Sequence, residues 1–174
     1  DIIAEQSAEL IAGVDIARFG DDANALVIRK GRVILHAFEW HGMDTMQTTG
    51  RIVDASRTHG FKIVNVDVIG YGAGVADRLS ELGYTVNGVN VAESSSLSEK
   101  YVRLRDELWW NARKFFEEKT CRIEPKAEKS EALIGELSNV HYAFTSNGKI
   151  KVESKDEMKA RGVKSPNLAD ALCL

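Results

Sequence analysis

The sequence predicts an α/β fold: a five-stranded mixed sheet of order 3-2-1-4-5, helices on both faces, and a β-hairpin inserted before the last helix. Three observations lead there. The first forty residues hold three β-rich stretches joined by short turns, which fits an antiparallel meander. Residues 44–91 then alternate helix and strand patterns, which calls for parallel pairing through right-handed crossovers. From Leu97 to Phe115 apolar residues recur at helical spacing, so a long amphipathic helix can cover one face of the sheet.

Each element follows from local chemistry. The opening strand, 10–17, carries Asp15 in its middle and ends in the polar turn Arg18-Phe19-Gly20-Asp21-Asp22. Residues 24–29 and 32–40 are the next two strands, joined by Lys30-Gly31. Asp44 caps a helix that Gly60 closes. The fourth strand, 61–68, carries Asp67, and Gly70-Tyr71-Gly72-Ala73-Gly74 leads into a helix over 75–82. Residues 84–91 are the fifth strand. On the long helix Leu97, Tyr101, Leu104, Leu108, Ala112 and Phe115 make the stripe; Trp109, Trp110 and Phe116 widen it as core packing. Residues 121–125 form a connector and 127–137 a further helix. Asn147-Gly148 between two alternating segments signals a hairpin. After a short helix over 155–161, Ser165 as N-cap and Pro166 at the first position open a last helix bearing Asp170.

With 174 residues, 44% hydrophobic and 28% charged, the chain suits one domain with a sizeable core. Residues 1–8 read as the end of a linker. No apolar run is long enough to span a bilayer, and residues 1–6 have no signal-peptide character. Cys121 and Cys173 form no paired motif and read as reduced packing residues. A formal net charge of −3 excludes a generally basic nucleic-acid binder, so any DNA contact is local.

Three acids sit in apolar company. Asp15 lies between Val14 and Ile16, Asp67 between Val66 and Val68, and Asp170 between Ala169 and Ala171. An unpaired carboxylate buried there would cost several kcal/mol or take up a proton. If the first and fourth strands are parallel neighbours, Asp15 and Asp67 both lie on the central strands, with Asp67 near its strand's carboxyl end, where open α/β sheets place ligands. A final helix packed on that face brings Asp170 to them. Three carboxylates so close repel, and divalent cations reverse that balance; hard oxygen donors suit Mg²⁺ or Mn²⁺. Two such ions can support phosphodiester hydrolysis. Asp22 ranks below these three, because turn chemistry already explains it.

The motifs Gly13-Val14-Asp15-Ile16-Ala17-Arg18-Phe19-Gly20-Asp21-Asp22, Val66-Asp67-Val68-Ile69-Gly70-Tyr71-Gly72-Ala73-Gly74, and Lys159 through Leu172 resemble the C-terminal nuclease domain of tailed-phage terminase large subunits. The resemblance implies a ribonuclease H-like fold with Asp15, Asp67 and Asp170 as catalytic metal ligands holding two Mg²⁺ or Mn²⁺ ions. It implies an endonuclease that cuts concatemeric double-stranded viral DNA during genome packaging in the host cytoplasm. The implied partners are a packaging ATPase domain on the same polypeptide, a portal and a small terminase subunit, with no membrane. No GxxxxGK[ST] loop occurs, so the motor lies outside this sequence. Asn167 stands where the family motif has an aspartate.

Other signals are weaker. The glycines at 70, 72 and 74 do not match a dinucleotide loop and read as a tight turn beside Asp67. Lys149, Lys159 and Arg161, from the basic-rich segment before Asp170, are candidate phosphate contacts. His36, His41, His59 and His141 show no ligand spacing. Three other functions fit less of the chain. A Holliday-junction resolvase would share the acids. An actin-like phosphotransferase would need Gly and Ser/Thr after Asp15. A non-catalytic docking module would have no use for the acids.

Overall fold

A computed structural model describes residues 7–17, 22–119 and 121–174. Residues 1–6 of the linker expected over 1–8, and 18–21 of the turn expected over 18–22, lie outside the described residues. Strands β1 (Leu10–Asp15), β2 (Asn24–Lys30) and β3 (Val33–Trp40) form the antiparallel meander. On the other side of β1, β4 (Ile63–Asp67) runs parallel to it, and β5 (Thr85–Val89) runs parallel to β4. This reproduces the expected order. A sixth strand, β6 (Arg122–Ile123), pairs parallel with β3 and extends the sheet to β5-β4-β1-β2-β3-β6. The sequence reads that stretch as a connector. Two residues carry no periodicity, and their partners lie far back in the chain, so nothing local marks them as a strand.

Helices α1 (Thr45–His59) and α2 (Gly72–Glu81) cover one face of the sheet. The Asp44 carboxylate accepts the Gln47 amide at 2.8 Å and the Gln47 side chain accepts the Asp44 amide at 3.1 Å, a reciprocal cap. Ala12, Val14, Leu26, Ile28, Ile52, Phe61, Val66 and Leu79 form the core between them. The opposite face carries α3 (Leu104–Glu117) and α4 (Ser130–Asn139). A separate hairpin follows, β7 (Tyr142–Phe144) with β8 (Ile150–Val152), then α5 (Lys155–Ala160) and α6 (Asn167–Cys173). Its core is Ala25, Val27, Ile34, Ala37, Trp109, Leu133, Leu168 and Ala171. Alternate residues of β2 thus serve opposite cores, as the period of a strand requires. Free Cys121 and Cys173 pack at the edge of this second core. Among the described residues no helix is long and apolar enough to cross a membrane.

Three expectations are corrected. Asp15 ends β1 instead of lying inside it, because the Ala17 amide leaves the ladder to donate to the Asn24 side chain at 3.1 Å. The long helix begins at Leu104, not Leu97: the Asp106 carboxylate accepts the Arg103 amide at 2.8 Å and starts the helix there. Tyr101 is buried through a bridge to Ile150, and Leu97 is exposed. The last helix begins at Asn167 with Pro166 as its N-cap; the Ser165 hydroxyl instead donates to Asp22 at 2.8 Å.

Helix α6 lies directly on β1. A methyl group at Gly13 would collide with the backbone carbonyl of Ala171, so only glycine allows this approach. The contact fixes the height of α6 above the strand that carries Asp15. Gly13→Ala is expected to cost about 2 kcal/mol or more, the scale of overpacking a tight core, read as a lowered unfolding midpoint in urea. A midpoint equal to the wild type would show that α6 can ride up freely.

Candidate metal centre

The β1–β4 register sets Val14 opposite Val66. Asp15 and Asp67, the next residues, therefore leave adjacent strand ends, with backbones about 5 Å apart. Both face a cleft of about 550 Å³ that is also lined by Asp22, Arg105, Lys155 and Asp170. Asp170 arrives from α6 on the opposite side.

A lysine holds the two sides together. Lys155, the first residue of α5, is placed by the cap that Ser154 gives that helix. Its Nζ donates to Asp15 Oδ2 at 2.8 Å and to Asn167 Oδ1 at 3.1 Å, and lies 3.3 Å from Asp170 Oδ2. Asp170 Oδ1 accepts from Trp109 Nε1 at 2.7 Å and Arg105 Nε at 3.2 Å. Asp67 Oδ1 accepts the Ile69 amide at 3.0 Å.

Three carboxylates share two cations, and the proton affinities reflect the shortage. Burial, reinforced by Asp170 and Asp67, pushes the Asp15 carboxyl up to about 6 despite Lys155. Burial also raises Asp67, against the pull of the Ile69 amide. Burial alone would lower the Lys155 ammonium, but Asp15 and Asp170 outweigh it and raise its proton affinity. The neighbouring Asp22 behaves oppositely. Burial is overcome there by hydrogen bonds from Lys159 and Ser165, which hold its carboxyl below the usual range.

The donor set fits a hard divalent cation. Asp15 and Asp170 already converge on one cationic position, taken by the ammonium. Asp170 Oδ2 is buried with no well-aligned hydrogen bond and faces only the charge of Lys155 at 3.3 Å, so a cation in the ammonium's place would meet a carboxylate oxygen there. Among the described residues no three acidic, histidine or cysteine side chains close around one ion position as they stand. Asp15, Asp67 and Asp170 would be the residues to do so, with Lys155 displaced.

Several participants were not expected from sequence. Lys155 sits in a mixed charge run that reads as a solvated face. Trp109 reads as core, and Arg105 carries no motif. Glu136 on α4 accepts the Ala169 amide at 2.9 Å beside Asp170, and burial pushes its carboxyl up to about 7. The candidate phosphate contacts have other neighbours. Lys159 pairs with Asp22 at 3.0 Å. Arg161 binds Glu153 through Nε and Nη2 at 2.9 and 2.8 Å, and Nη2 also reaches the Asn139 carbonyl at 2.7 Å. Lys149 stands beside the hairpin turn.

This fold is shared with solved structures of proteins from bacterial viruses. Among the solved structures similar to it are nuclease domains of large terminase subunits. The gp2 domain of bacterial virus Sf6 with manganese, a lysine-to-alanine variant, matches with a TM-score of 0.80 at 22% identity, over 95% of this chain and 86% of that one. The same domain with calcium gives 0.82 at 23%, over 96% and 88%. The large terminase nuclease of thermophilic phage G20c with bound magnesium gives 0.72 at 18%, over 96% and 79%. No protein-family model and no curated protein sequence matches the chain.

Proposed function

We propose that this chain is a Mg²⁺- or Mn²⁺-dependent endonuclease that cuts double-stranded DNA concatemers during viral genome packaging. One observation carries the reading: acids from β1 and from α6, distant in sequence, grip a single cationic position in the fold of large terminase nucleases. The metals in the Sf6 and G20c structures support divalent ions here. Two bound ions would supply activation of the attacking water and stabilisation of the departing 3′ oxygen. Asp15, Asp67 and Asp170 bind; Lys155 balances their charge beforehand; Arg105 and Trp109 orient Asp170. Lys149, Lys159 and Arg161 are proposed phosphate contacts, the last two by exchanging Asp22 and Glu153 for DNA. In this reading a packaging ATPase domain precedes the chain on the same polypeptide. A portal and a small terminase subunit complete the assembly, in the host cytoplasm.

The test is nicking of supercoiled plasmid and cutting of linear duplex. Both should require Mn²⁺ or Mg²⁺, stop with EDTA, and drop at least about 100-fold in Asp67→Asn, the scale for removing an electrostatic group at the reaction centre. Undiminished cutting in EDTA would overturn the reading. A strong preference for four-way junctions over linear duplex would replace it with junction resolution.

A further inference from the structure

We infer that Trp109, supported by Arg105, is a positioning residue that occupies one oxygen of Asp170 so that the other alone is offered to a metal. The inference rests on the nuclease reading and deepens it. Asp170 Oδ1 receives Trp109 Nε1 at 2.7 Å and Arg105 Nε at 3.2 Å, with Arg105 Nη2 at 3.1 Å. Oδ2 is buried without an aligned hydrogen bond and faces the Lys155 ammonium at 3.3 Å. The carboxylate is therefore divided: one oxygen held by α3, the other turned to the cationic position that Lys155 fills.

The two donors come from one rigid surface. Arg105 and Trp109 stand one turn apart on α3, on the same helical face. The guanidinium carbon lies 5.6 Å from the indole ring centroid. Arg105 Nη1 is anchored in turn on the Glu153 carbonyl at 2.8 Å. Trp109 is itself buried, at 7% exposure, so its indole cannot swing. An indole N–H donates and never accepts, and it does not ionise near neutral pH. It fixes the carboxylate without adding charge that would repel a cation. Arg105 holds the same oxygen but does add such charge, which makes Trp109 the clean place to test the role. Groups that orient metal ligands in this way are worth about 10–100-fold in metal affinity.

The experiment compares wild type with Trp109→Phe, and with a chain carrying benzothienylalanine at 109, which keeps both rings and replaces the N–H by sulfur. Mn²⁺ binding is measured by calorimetry on the folded protein without DNA. The Mn²⁺ concentration giving half-maximal plasmid nicking is measured alongside. The expected result is Mn²⁺ affinity weakened about 10–100-fold in both variants. The half-maximal Mn²⁺ concentration should rise by the same factor, and the rate at saturating Mn²⁺ should fall by much less. A merely structural indole would lower the unfolding temperature and the saturated rate while leaving Mn²⁺ affinity alone. Wild-type Mn²⁺ affinity in the benzothienylalanine chain overturns the inference and leaves the nuclease reading standing. A wild-type chain that binds no Mn²⁺ overturns both.

Discussion

Asp15→Asn is expected to reduce metal-supported cleavage by about 10²–10³-fold or more, while leaving the metal-free protein folded and, near pH 4, as stable as the wild type within about 1 kcal/mol. The two effects separate because of what surrounds the side chain. Cleavage needs the carboxylate as a charged oxygen ligand, which an amide replaces poorly. Stability needs only an acceptor for Lys155, and an amide oxygen can fill that place while Asp170 and Asn167 still face the ammonium. The carboxylate also strains the fold when ionised. Its native pKa of about 6 lies above the usual 3.8, so the folded protein holds that proton more tightly than the unfolded chain. Stability from this group is full below pH 4 and is lost as pH rises through about 6. Without metal, Asp15→Asn should therefore gain stability relative to wild type between pH 4 and 7. Thermal unfolding in EDTA across that range checks it; a constant difference would mean that Asp15 titrates alike in both states.

Lys155→Ala should produce the largest loss of metal-free stability at the site, and divalent metal should reverse it. Removing the ammonium leaves Asp15, at 8% side-chain exposure, and Asp170, at 13%, facing each other without a bridging cation. Breaking a buried pair costs about 3–5 kcal/mol. Here about 2–3 kcal/mol is expected, because the lysine is one-third exposed and Asp15 can protonate. Mn²⁺ would take over the position that the ammonium leaves. The variant's unfolding temperature should rise with Mn²⁺ more steeply than the wild type's, whose lysine competes for the same carboxylates. An equal metal response in the two proteins would show that Lys155 does not stand in the metal's place.

Much of this arrangement was legible in the residues, and what was not has a common cause. The meander, the crossovers and the Asn147-Gly148 hairpin are written in local patterns: short turns, alternating periods, a two-residue turn. The three acids were conspicuous because each interrupts an apolar run, and the structure brings Asp15 and Asp170 onto one ammonium. Their partners were hidden because nothing in their own neighbourhoods is unusual. Lys155 is followed by Asp156 and Glu157, which makes it look like part of a solvated helix face. Trp109 sits in an apolar stripe, where ring burial explains it fully and its N–H goes unnoticed. The start of α3 and strand β6 depend on Asp106 and on β3, contacts that periodicity does not encode. Only nearness in sequence links the basic residues before Asp170 to the acids, and two of them are engaged by Asp22 and Glu153.

One buried carboxylate ties the hairpin to the cleft. Asp106 accepts the Arg103 amide with one oxygen and the Val152 amide, at 2.7 Å, with the other. Next to that bond the Glu153 carbonyl takes Arg105. The hairpin is thus latched to α3 and is no free flap: prising it open would unhook Val152 and pull on the guanidinium that steadies Asp170. Deuterium uptake at the Val152 amide would then act as a clock for the loosening of the acidic cluster, readable with neither metal nor nucleic acid present.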